Sequence, residues 1–217
     1  MNIYIVTEGK TEKIIFKDWI RIVNPGLRYI ERLDELTTDN YYIISGMGYP
    51  YYYEIIEAAI QDVNQLQFDR LVISLDSEEM SKQDKYDEID DFFSKKHCSR
   101  DIRIVVQHFC FETWALGNRK LFSKNPSLAK LREYKRFFNV KISDPELLPS
   151  KSDEELNRSQ LAEKYLCLAF NDRFRNLTYK KSNPQYIAHQ SYLGQLKNRL
   201  VDTRHIASFD DFLNAFI

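Results

Sequence analysis

Glycine and proline are scarce, at six each in 217 residues, and the three cysteines (Cys98, Cys110, Cys167) form no Cys-x-x-Cys pair. The first shortage excludes collagen-like and Pro/Gly-rich disordered chains. An odd, scattered set of cysteines favours a reducing compartment over a disulfide framework or a zinc site. No apolar run reaches the length of a membrane span, and no basic stretch leading into an apolar run opens the sequence. The four histidines, His97, His108, His189 and His205, share no metal-ligand spacing. A G-x-x-x-x-G-K-[ST] phosphate loop is also missing, so the sequence carries no P-loop nucleotide site. The net charge of −1 lacks the overall basicity common in nucleic-acid binders. A soluble, cytoplasmic protein is the expectation.

Aromatics, by contrast, are plentiful: 14 Tyr, 14 Phe and 2 Trp, with six tyrosines between Tyr41 and Tyr53. The group Tyr49, Tyr51, Tyr52 and Tyr53 can stack on bases or join two subunits as a homodimer, and core packing should claim at least half of it. The near-zero net charge hides an asymmetry. Residues 76–91 carry Asp76, Glu78, Glu79, Asp84, Asp87, Glu88, Asp90 and Asp91 against two lysines. Residues 119–141 are basic, with Lys130, Arg132, Lys135 and Arg136 as candidates to track a nucleic-acid backbone. A metal site with a polyanionic substrate needs such a pairing, and an internal salt-bridged interface would look the same.

Periodicity organises the first 116 residues. Apolar runs at 3–6, 41–44, 71–75 and 102–106 read as strands, with a shorter one at 27–31. Between them lie amphipathic helices carrying Ile15, Trp19, Ile22 and Val23, then Ile56, Ala59, Ile60 and Val63, then Tyr86, Ile89 and Phe93. The alternation predicts an α/β fold, a Rossmann-like parallel sheet with helices on both faces. Residues 117–217 read as a mainly helical appendage packed on it, ending in a helix that Ser208-x-x-Asp211 would cap.

In a parallel sheet, ligands gather at the carboxyl ends of the strands, and Glu8, Asp76, Glu78 and Glu112 each fall at or just beyond such an end. Gly9 would allow a sharp turn after Glu8, and Thr11 would cap the following helix. Asp76 and Glu78, at i and i+2 on a strand tip, would point the same way. Carboxylates without a histidine or cysteine cluster favour Mg²⁺ or Mn²⁺, one ion or two. Glu12 and Lys10 are accessory candidates, for the metal surroundings and for a phosphate.

The stretch Ile5-Val6-Thr7-Glu8-Gly9-Lys10-Thr11-Glu12 resembles the first motif of Toprim domains, and Leu75-Asp76-Ser77-Glu78 stands where they carry D-x-D. The likeness is to small, defence-associated Toprim proteins of the RloB-like and OLD-type nuclease group. It extends to Cys110-Phe111-Glu112-Thr113-Trp114 and, more weakly, to Asn183-Pro184 and 192–200. The resemblance implies a metal-dependent nuclease cleaving DNA or RNA, an effector of anti-phage defence, with Glu8, Asp76, Glu78 and Glu112 as catalytic metal ligands. The alternatives are a non-catalytic Toprim-fold adaptor for a partner ATPase, or a toxin RNase directed at tRNA, and with no phosphate loop in this sequence such an ATPase would be a separate partner. Glu78 in place of the second aspartate, and Gly46-Met47-Gly48 in place of a glycine-lysine pair, depart from the pattern.

Overall fold

A computed structural model describes residues 1–174 and 177–217. Five strands, β1 (Ile3–Thr7), β2 (Arg28–Ile30), β3 (Asn40–Ser45), β4 (Arg70–Asp76) and β5 (Asp101–Gln107), form one sheet in the order β2-β3-β1-β4-β5. Every pairing is parallel. The fold is therefore α/β with an all-parallel sheet, consistent with a Rossmann-like Toprim fold. The short strand expected at 27–31 is present as β2, at the sheet edge.

Strand alternation sorts the helices to two faces. Ile3, Ile5, Tyr41, Ile43, Val72 and Val105 face α1 (Lys10–Val23), which buries Ile15, Phe16, Trp19 and Ile20 against them. Tyr4, Val6, Leu71, Ile73 and Leu75 face α2 (Tyr52–Gln65) and α3 (Lys82–Ser94). Each fully buried aliphatic or aromatic side chain contributes about 1.5–3 kcal/mol, so the four on α1 alone outweigh its modest intrinsic helicity.

After β5 come α4 (Phe111–Ala115), α5 (Ala129–Phe137), α6 (Arg158–Arg173), α7 (Gln185–Ala188), α8 (Gln190–Thr203) and α9 (Ser208–Asn214). This helical part shares its core with the α1 face. Phe209, Phe212 and Phe216 pack with Phe16, Trp19 and Trp114, and Trp19 Nε1 donates to the Ile187 carbonyl at 3.0 Å.

Two local expectations fail here. Tyr86 was placed on the buried stripe of α3, but it is exposed, and the stripe runs Lys85, Ile89, Phe93. Ser208 does not cap α9. It is the first helical residue and fully buried, its Oγ accepting from Trp114 Nε1 at 2.6 Å while donating to Glu146.

Glu146 accepts from the Ser208 amide as well, at 2.9 Å, and burial pushes its carboxyl from 4.5 up to about 7. Between those values the folded state holds more protons than the unfolded one. The contribution of Glu146 to stability therefore falls as pH rises through that window, by about 1.4 kcal/mol per unit at most. Glu146→Gln keeps both acceptor contacts without the charge. Thermal melts should show the variant matching the wild type near pH 4.5, then gaining on it up to pH 7 and holding that gain above.

Candidate functional site

β1 and β4 are neighbours whose chains leave in opposite directions, one toward β3 and one toward β5. At that divergence the carboxyl ends of both strands open into a crevice. Glu8 follows β1, its amide donating to the Ser74 carbonyl at 3.0 Å, and its Oε2 accepts from the Asp76 amide at 2.9 Å. One carboxylate is thus clamped to the strand that carries the next.

Asp76 ends β4, and Glu78 lies two residues beyond with φ 50°. A left-handed glutamate costs about 1–2 kcal/mol. The bend is held by the Glu78 amide donating to the Phe109 carbonyl at 2.9 Å. The two acids therefore converge through a turn past the strand end, where simple strand alternation had been expected to align them. Carboxylate oxygens of Glu8, Asp76 and Glu78 all lie within 4.8 Å of one another.

Glu12 and Glu112 stand beside this trio. Both are buried, on the first turns of α1 and α4. Glu112 is outside the close group of three. Its Oε1 accepts from Tyr179 at 2.7 Å and lies 3.6 Å from Lys181 Nζ. Glu12 Oε2 has no partner, and burial with the Glu112 and Glu8 charges pushes its carboxyl up to about 7. Burial likewise raises Glu8, and it raises Asp76 well above the usual carboxylate range, with the neighbouring acids adding to it.

The acids meet a row of unpaired polar atoms. Asp76 Oδ1, Ser74 Oγ and both amide atoms of Gln107 are buried without a hydrogen-bond partner. Ser74 and Asp76 share the α1 side of β4, and Gln107 lies in register with Asp76 on β5. Leaving such groups unmatched costs about 1–3 kcal/mol apiece, so this corner is built for something other than stability. An all-oxygen carboxylate set with an orphaned buried Asp76 oxygen fits a hard divalent cation.

The two small residues of the first motif act differently from expectation. Gly9 is extended (φ −121°), so no left-handed turn requires it. A Cβ there would sit 2.8 Å from Glu12 Oε2, so glycine makes room for that carboxylate. Thr11 does not cap α1. Its hydroxyl donates to the Lys181 carbonyl at 3.0 Å and draws that loop to the site. Lys10 is exposed at the first position of α1.

A cavity of about 410 Å³ lies over the acids, walled by Glu8, Asp76, Glu78, Tyr49, Tyr53 and Lys85. Lys85 is buried, its Nζ 2.8 Å from Tyr52 Oη and 3.1 Å from Glu88. It was hidden within the acidic stretch 76–91, and its place four residues before Ile89 on the apolar stripe was the available signal. Tyr179 and Lys181 offered none, because they reach Glu112 through tertiary packing alone. Tyr52 and Tyr53 pack inward, whereas Tyr49 and Tyr51 are exposed.

His108 Nδ1 is 2.8 Å from Ser77 Oγ, and burial with Arg158 nearby lowers its imidazole to about 4, so it is neutral at pH 7. His189 caps α8. Among the described residues no ion pair joins the acidic 76–91 to the basic 119–141, and Lys130, Arg132, Lys135 and Arg136 make no contact with the acids of the site. Lys130 pairs with Glu133 and Glu154, while Arg132 and Lys135 donate to carbonyls of 123–127. A second carboxylate group, Glu133, Asp153 and Glu154, is neutralised by Lys130 and Lys151. The three cysteines are free, and no helix among the described residues is long and apolar enough to cross a membrane.

Compared with protein families, curated proteins and solved structures, the chain matches none.

The crowded acids give a direct test. Asp76→Asn should raise the melting temperature in EDTA, on the order of 2–4 °C per kcal/mol of repulsion relieved. Mn²⁺ should raise the melting temperature of the wild type and leave the variant unmoved. Equal Mn²⁺ shifts in the two proteins would exclude Asp76 as a ligand.

Proposed function

We propose that this chain is a divalent-metal-dependent nuclease, hydrolysing phosphodiester bonds of nucleic acid in the cleft between β1 and β4. The observation that carries this reading is the convergence of Glu8, Asp76 and Glu78 within 4.8 Å, with a buried Asp76 oxygen that no protein group satisfies. Those three carboxylates would hold Mg²⁺ or Mn²⁺. A bound ion of this kind polarises a phosphoryl oxygen and lowers the pKa of water.

The protein groups have separable tasks. The Asp76 amide fixes the Glu8 carboxylate. Lys85, held by Tyr52 and Glu88, places positive charge on the cleft wall where a phosphate would enter. Glu12 brings an unpaired, buried Oε2 beside Glu8 and Glu112. Tyr49 offers an exposed ring at the rim, suited to stacking a base.

A second reading, a Toprim-scaffold adaptor for a separate ATPase, draws on the exposed apolar surface of Met47, Tyr49 and Tyr51. Metal binding separates the two, since an adaptor needs none.

Cleavage assays on labelled DNA and RNA should show hydrolysis with Mg²⁺ or Mn²⁺ and none in EDTA. Glu8→Ala and Asp76→Ala should each lower the rate on the order of 100-fold or more. Lys85→Met should lower it by about 10²-fold without loss of the Mn²⁺ thermal shift. Undiminished cleavage in folded Glu8→Ala and Asp76→Ala would remove the assigned site.

A further inference from the structure

α6 runs from the acid site to a basic hollow. At its first residue, Arg158 Nε donates to the Glu79 carboxylate at 3.1 Å and Nη2 to the Glu79 carbonyl at 2.8 Å, just past Asp76 and Glu78. Near its last turn, Asp172 Oδ1 accepts from the Ser127 amide (2.6 Å), the Ser127 hydroxyl (2.6 Å) and the Leu128 amide (2.9 Å), anchoring the start of α5. At 1.5 Å per residue, residues 158 and 172 are about 21 Å apart along the axis.

The hollow at the far end has a volume of about 560 Å³ and is lined by Lys124, Arg132, Lys135 and Arg136. Arg132 and Lys135 donate to backbone carbonyls of the 123–127 loop, and Lys141 donates to the Phe122 carbonyl at 2.6 Å. These bonds shape the loop but cancel no charge. Among the described residues, none of these five cations makes an ion pair. Lys141 is pushed down by burial and by Lys135, Lys124 and Arg173, the signature of cations crowding one another. Lys130, two residues before Arg132, turns away to Glu133 and Glu154.

A concave cluster of uncompensated cations recognises repeated anionic groups. We propose that this hollow grips the phosphate backbone of a nucleic acid whose reacting bond lies at the carboxylates. The proposal rests on the nucleic-acid reading of the acid site, and it identifies the gripping residues as Lys124, Arg132, Lys135 and Arg136.

Fluorescence anisotropy of labelled duplexes of about 24 base pairs, DNA in one arm and RNA in the other, can be read in EDTA across about 0.05–0.3 M salt. Lys124→Gln and Arg136→Gln are the informative changes. The Lys124 side chain makes no hydrogen bond among the described residues, and Arg136 only a long one to the Arg132 carbonyl at 3.4 Å. The double variant should flatten the slope of log affinity against log salt by about two, and Lys124→Gln alone by about one. An unaltered Mn²⁺ thermal shift shows that the double variant is folded; if it is not, the single variant decides. Binding in EDTA requires no cleavage, so a failed cleavage assay leaves the binding result standing. An unchanged slope in the folded variants, or polyglutamate bound as tightly as either duplex, would overturn the assignment.

Discussion

Where β1 and β4 end side by side, the amide of Asp76 donates to Glu8 Oε2, and the site is arranged around that bond. It ties the first acid of one loop to the backbone of the other, so two groups that repel each other are held within reach of a common point. The cost shows in the raised carboxyls of Glu8, Glu12 and Asp76. The surroundings are adjusted to bear that cost. Gly9 leaves room for Glu12, Thr11 tethers the Lys181 loop, and Lys85 and Lys181 bring positive charge to either side.

Much of this was legible in the sequence, for a definite reason. The run Leu71–Leu75 is apolar because β4 is covered on both faces, and a strand covered on both faces belongs to a parallel sheet. Once the sheet is parallel, acids at strand ends share an edge, so the meeting of Glu8 and Asp76 follows from topology. What stayed hidden depends on tertiary contacts. Glu78 converges through a left-handed turn that no strand pattern encodes. Tyr179 and Lys181 approach Glu112 across 67 and 69 positions of chain. Lys85 sits on an apolar helix stripe, where a lysine reads as an interruption until its partners Tyr52 and Glu88 are seen. Ser208 has the spacing of a cap, but Trp114 and Glu146 claim its hydroxyl.

Charge runs proved least informative as runs. The acidic 76–91 and basic 119–141 stretches do not pair with each other among the described residues; each divides internally. Glu79 and Glu88 are spent on Arg158 and Lys85, while Asp76 and Glu78 face the cleft. Lys130 is spent on two glutamates, while its helical neighbours keep their charge. Helical periodicity explains the split. Lys130 and Glu133 are i and i+3 on one side of α5, and Arg132, Lys135 and Arg136 occupy the other, toward Lys124.

The helical half is what makes the first half's acids behave as a site. Without it the α1 face would expose Phe16 and Trp19, which pack on Phe209 and Phe212, and one core runs through both halves. That cover also excludes water from Glu12 and Glu112, and Tyr179 and Lys181 come from the same segment to meet them. Burial of those carboxylates is therefore a consequence of the second half's packing. The sheet supplies position, and the helices supply the low-dielectric surroundings in which a carboxyl can titrate about 7 and an unpaired oxygen is worth filling. Sequence motif and strand order place the acids together. Only the cover contributed by the helical half turns that proximity into buried, low-dielectric surroundings.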